Sequence, residues 1–230
     1  MRKILLLTAV AAMTVCSCKK PGPDPVTPPT ESDRIPIRLS TDISSKATDN
    51  GFEEGDKIGI YTVNNVNGSA GSLADTGNHL DNIGFTFDGT EWDADEEVYW
   101  ADQTTPADFY CYYPYTASIE DVTALSFTVK KDQSTLAGYK ASELPWGKTE
   151  GAKPSADPVK ITTRHALSNL IIYVTPGNGY TAEDIKVTVT GVKTTARLNL
   201  ATGKVTVDGE LKDIPPTVPS KPQTAGDPSR

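Results

Sequence analysis

The run Ile161-Thr-Thr-Arg-His-Ala-Leu-Ser-Asn-Leu-Ile-Ile-Tyr-Val174 constrains the fold of this chain most. Leu170 to Val174 are nearly all β-branched or aromatic, and Thr175-Pro176-Gly177-Asn178-Gly179 ends the run with turn residues. A near-continuous apolar stretch bounded in this way predicts a core strand buried on both faces. Glycine and proline together number 35 of 230 residues, and long helical periodicity is absent, so an all-β protein built from antiparallel strands is expected.

The first residues bear on the compartment. Met1-Arg2-Lys3 is a positive n-region, and Ile4 to Val15 is an apolar stretch of the length of a signal-peptide core, too short to span a bilayer. It closes on Val15-Cys16-Ser17-Cys18, which has the form of a lipobox with Cys18 as the acylated residue; an ordinary signal-peptidase site nearby is the alternative. Acyl chains on Cys18 would hold the chain to a membrane, because each buried methylene contributes about 0.8 kcal/mol. Lys19-Lys20 and the proline-rich stretch from Pro21 to Pro29 read as an extended tether, rising about 3 Å per residue. Loss of Arg2 and Lys3 with the signal would move the formal charge from -8 to about -10, an acidic balance that repels phosphate backbones and excludes nucleic acid as a partner. Once Cys16 leaves and Cys18 is acylated, Cys111 stands alone, and no disulfide scaffold is expected.

Beyond the tether the strands are short. Ile35, Ile37, Leu39 and Ile43 alternate with Pro36, Arg38 and Asp42, and Pro36 places this first strand at a sheet edge. A polar loop from Ser44 to Gly51 follows, then a strand carrying Ile58 and Ile60, and a long polar loop from Val63 to Asn82. Asp88-Gly89 predicts a type I′ hairpin with both residues at positive φ. Asp108 to Tyr115 is an aromatic strand with Phe109, Cys111 and Tyr113 on one face and Tyr110 and Tyr112 on the other. Leu125 to Val129, Ile185 to Thr190, Ala196 to Leu200 and Lys204 to Val207 read as further strands, and the segment after Glu210 as a patternless tail.

Residues that could carry chemistry give no catalytic constellation. His79 and His165 are the only histidines; a Ser-His-Asp reading would use His165, but that residue lies within a strand and reads as packed or hydrogen-bonded, so no enzyme, cofactor or metal site is expected. Asp93, Asp95, Glu96 and Glu97 lack the glycine and distal glutamate of a calcium loop and read as a solvated turn. The tyrosines of the aromatic strand, with Trp92, Trp100 and Trp146, read as core and cross-strand pairs, with a sugar-stacking platform as the alternative. Cys111 reads as a small buried hydrophobe.

Several of these motifs stand in one order: the lipobox and proline-rich tether, Lys46-Ala-Thr before Phe52-x-x-Gly-Asp-x-Ile-Gly-Ile-Tyr61, and Tyr99-Trp100. They continue with Asp108-Phe-Tyr-x-Tyr-Tyr-Pro-Tyr115, Asp132-Gln-Ser, and Arg164-His-Ala-Leu-Ser-Asn-Leu170. Together they cover about residues 15 to 205, and in them the chain resembles the fimbrillin family of Bacteroidales, exported lipoproteins of surface fimbriae. The resemblance implies two transthyretin-like antiparallel β-sandwich domains. With the residue reading it divides the chain into a lipoprotein signal (1–17), lipidated tether (18–34), N-terminal domain (35–158), partial C-terminal domain (159–209) and a tail (210–230) expected from its composition to be disordered; the second domain departs from the family in its few strands, being truncated or naturally short. It further implies an outer-membrane lipoprotein at the cell surface or in the fimbrium. A trypsin-like protease would cut after Lys46, where many relatives have arginine, and release the strand of Ile35, Ile37, Leu39 and Ile43. The groove would then accept a strand from another fimbrial subunit. Cell adhesion is the implied function, towards ligands the residues do not name; a monomeric lipoprotein binding a glycan or other ligand is the alternative.

Overall fold

The computed structural model describes residues 34–43 and 51–216. Alternation of apolar and polar residues marks strands such as Val159–His165, while the central strands Lys57–Asn64 and Ala107–Tyr112 are buried on both faces. β1 (Leu39–Ile43), β2 (Lys57–Asn64), β3 (Leu80–Phe87), β4 (Trp92–Ala94), β5 (Ala107–Tyr112) and β6 (Leu125–Thr128) come first in the chain. A short helix, α1 (Leu136–Lys140), interrupts them; the Thr135 hydroxyl caps its first turn by accepting the Gly138 N–H. β7 (Pro145–Ala152), β8 (Val159–His165), β9 (Val189–Asn199) and β10 (Lys204–Ile214) complete the order. Among the described residues the protein is therefore all-β apart from α1 and one 3-10 turn at Ala182–Asp184.

Two sheets form. One has seven strands in the order β1-β8-β7-β5-β2-β3-β4, the other three in the order β10-β9-β6. All described residues lie in one compact unit that begins at Arg34. The division expected between 158 and 159 falls between β7 and β8, which are adjacent in one sheet, while β6 pairs with β9 across the same point. The pairing is antiparallel except between β1 and β8, which run parallel from Leu39↔Val159 to Ile43↔Thr163 and so correct the purely antiparallel expectation.

The large sheet buries both faces. Ile58, Ile60, Phe109, Cys111 and Ile161 project from one face into a core shared with Leu39 and Trp92 of the two edge strands and with Ile37, Val98 and Trp100 of the segments outside the sheet. Tyr61, Val63, Tyr110, Tyr112 and Trp146 project from the other and meet Leu125, Leu198 and Leu200 beneath the small sheet. The period of two thus sends successive residues of β2 and β5 into two different cores. Gly59 is opposite Tyr112 in the ladder, and a Cβ there would run into the tyrosine ring, so the glycine lets the aromatic lie flat across the strand. Gly203 has φ +69° in the β9–β10 turn and lies directly against the Trp146 ring, whose indole N–H donates to the Leu200 carbonyl at 2.9 Å.

Three expectations are corrected. The strand starting at Ile161 stops at His165, and Leu170 to Val174 are 44–64% exposed and outside any ladder. The contact with the β7 segment closes one step later, where the Ala166 N–H donates to the Leu144 carbonyl at 2.8 Å, and residues 170–174 join none of the described strands. The Asp88-Gly89 turn is a four-residue loop between Phe87 and Trp92, with Gly89 at φ 100°. Asp88 holds it with its side chain, Oδ1 accepting the N–H groups of Thr90 and Glu91 at 2.7 Å each. Finally, 185–188 lie outside the strands, the residues expected as strands at 196–200 and 204–207 belong to one long hairpin of β9 and β10, and β10 runs to Ile214 where a patternless segment was expected after Glu210.

A strand slot as candidate functional site

The first strand changes partner halfway along. Around Pro36 it bridges Tyr99, with the Ile37 N–H donating to Val98 and the Trp100 N–H to Ile35 at 3.0 and 2.9 Å. From Leu39 it joins the edge of the large sheet alongside β8. Alternation survives the switch: Ile37 and Leu39 are each 5% exposed within the core, Ile35 packs at its margin, and Ile43 is half-buried.

Polar contacts fix the register. The Trp92 indole N–H donates to Thr41 Oγ1 at 3.0 Å, and the Thr163 hydroxyl donates to the Asp42 carbonyl at 3.2 Å. Lys160 Nζ pairs with Asp42 Oδ2 at 2.5 Å, in an exposed setting where the pair contributes little stability but opposes a like charge. The partners lie 51 and 121 residues away from Thr41 and Asp42, so no local pattern reveals them. Hydrophobic alternation shows only that the strand has a buried face.

The other candidates distribute as follows. Cys18 and Lys46 lie outside the described residues, although Ile43 places the chain at the start of the segment carrying Lys46. Tyr110 and Tyr112 are buried, 3% and 1% exposed, and Trp92, Trp100 and Trp146 are also in the cores, whereas Tyr113 and Tyr115 are half-buried, Tyr113 donating its hydroxyl to Asp56 and Tyr115 lying under the Lys57 ammonium. Tyr112 donates its hydroxyl to Asn82 Oδ1 at 2.6 Å, and burial raises its pKa above the ordinary tyrosine range. Cys111 is a buried hydrophobe whose thiol burial pushes up to about 12. In the acidic turn Asp95 pairs with Lys57 at 2.7 Å, and among the described residues no three His, Cys, Asp or Glu side chains gather as a metal site. His165 ends β8, opposite Pro145.

Comparison with known proteins places this architecture. A family model described as fimbrillin-like matches residues 45–227. The chain belongs to the fimbrillin-like family. This fimbrillin-like chain is 26% identical over 224 residues to a candidate fimbrium subunit, Fim1C, of Bacteroides uniformis, covering 93% of this chain and 70% of that one. A candidate fimbrium tip subunit of Bacteroides ovatus, also named Fim1C, is 30% identical over 91 residues, which are 38% of this chain and 15% of the relative. The crystal structure of a candidate cell adhesion protein from Bacteroides uniformis superposes with a TM-score of 0.59 at 26% identity, over 81% of this chain and 71% of that one. A second candidate cell adhesion protein, from Bacteroides ovatus, shares the fold at 16% identity, with a TM-score of 0.62 over 81% of this chain and 74% of that one.

Proposed function

We propose that this fimbrillin-like chain is a fimbrial subunit or accessory tip or anchor component, assembled by exchange of its first strand and serving cell adhesion. The observation that carries the reading is β1 itself. It is an edge strand whose Leu39 is buried in a core and whose ladder partner among the described strands is β8. Its removal would leave an apolar slot and a row of unpaired backbone groups along β8, the two deficits that an incoming strand from another subunit makes good. Acylation at Cys18 would bring the chain to the outer membrane, and a trypsin-like cut after Lys46 would free residues up to that point, both acyl chains and β1 leaving together.

The mature N-terminus of protein extracted from outer membranes, read by mass spectrometry, tests this. The expected result is a terminus at Ala47 in polymeric material that does not form when proteolysis is blocked. An acylated Cys18 with Ile35 to Ile43 retained, and no polymer, would overturn strand exchange and leave a monomeric lipoprotein that binds a glycan or other ligand.

A further inference from the structure

We infer that the slot beneath β1 selects its incoming strand by side chain as well as by backbone, accepting a partner segment with an oxygen-bearing side chain where Thr41 stands and an acidic one where Asp42 stands. The inference rests on the strand-exchange reading above and names the kind of partner that exchange would take.

The backbone part of the slot does not discriminate. Any extended segment can repeat the bonds that Val159 donates to the Arg38 carbonyl and Ile37 to Val98, and any pair of aliphatic side chains can fill the places of Ile37 and Leu39. Two side-chain contacts do discriminate. Trp92 is 8% exposed, and its indole N–H meets the Thr41 hydroxyl oxygen. A valine or leucine at that register would leave a buried donor without an acceptor, which costs more than the hydrogen bond returns when made. Lys160 stands opposite the Asp42 carboxylate, so a lysine or arginine at that register would meet a like charge in place of a partner. The Thr163 hydroxyl, on a residue that is fully buried, receives the same strand through the Asp42 carbonyl and makes a one-residue slip unfavourable. The partner segment therefore reads apolar, any, apolar, any, hydroxyl or amide, acidic, apolar, as Ile37 to Ile43 does.

The test uses the full chain with a specific protease site placed within residues 44–50. After cutting, the chain is offered labelled peptides with the sequence of residues 34–45 and the variants Thr41→Val and Asp42→Lys. The native peptide is expected to exchange into the slot, the Thr41→Val variant to be captured about tenfold less well, the ratio that about 1.4 kcal/mol produces, and the Asp42→Lys variant, whose exposed partner discriminates less, about threefold less well. The Trp92→Phe chain is expected to lose the preference for threonine over valine, and the Lys160→Glu chain to favour the Asp42→Lys peptide over the native one. Capture of all peptides equally by the unsubstituted chain would overturn side-chain selection while leaving strand exchange standing. Capture of none would overturn strand exchange and the inference with it.

Discussion

Single residues decide how two aromatic-rich cores share one sheet. Gly59 gives its space to the Tyr112 ring, so Gly59→Ala is expected to destabilise the protein by about 1–3 kcal/mol in urea unfolding, the usual cost of overpacking. The tryptophans facing the first strand differ in their polar ends. Trp92 Nε1 has the Thr41 hydroxyl, whereas Trp100 Nε1 is buried with no acceptor among the described residues. Trp100→Phe removes an unmatched donor and Trp92→Phe a matched one. Trp100→Phe is therefore expected to cost about 1 kcal/mol less than Trp92→Phe in the same assay. At Cys111 burial pushes the thiol up to about 12, so the folded protein at pH 8 holds no reactive thiolate there. Iodoacetamide is expected to label Cys111 only after denaturant is added, which mass spectrometry of the alkylated chain would show.

At the level of elements, pairing overrides propensity. Leu170 to Val174 have strong strand composition but join none of the described strands and stay 44–64% exposed, whereas Leu39 and Ile161, in less continuous apolar runs, sit 5% and 0% exposed. Substitution should separate them. Leu39→Ala and Ile161→Ala are each expected to cost about 2–5 kcal/mol, while Ile171→Ser and Ile172→Ser should stay within about 0.5 kcal/mol. Thermal unfolding of the four variants would check this, and a large loss at Ile171 or Ile172 would show that the segment is held in a core. The same logic explains α1, whose five residues carry no buried side chain and hence no periodic signal in the sequence.

The whole molecule titrates at both ends of the pH scale. Burial, reinforced by the charges of Asp81 and Asp75, raises Tyr61 to about 12, and burial alone raises Cys111 to about 12. The unfolded chain ionises these groups first, so the stability they carry is complete below their ordinary values and is lost as pH rises through the folded ones. Asp88, Asp102, Asp121, Asp132 and Asp184 are held below the usual carboxylate range by hydrogen bonds from turn hydroxyls and backbone N–H groups. Their contribution is present above about pH 4 and is lost as pH falls through the lowered values. A plateau of stability between about pH 5 and 9, falling on both sides, is expected from unfolding midpoints measured across that range. By itself the sequence determined the all-β class, the inward faces of β2 and β5 and the buried face of the first strand, because a period of two and β-branched or aromatic residues write burial into local order. It also carried the family, through motifs in a fixed order. Only the tertiary structure decided that the first strand switches from Tyr99 to the β8 edge, that this edge pairs in parallel, that Leu170 to Val174 join none of the described strands, and that Trp92 and Lys160 meet Thr41 and Asp42. Those outcomes depend on which strand edge remains open when distant segments come together, and a ladder partner leaves no trace in the local periodicity of the strand it joins.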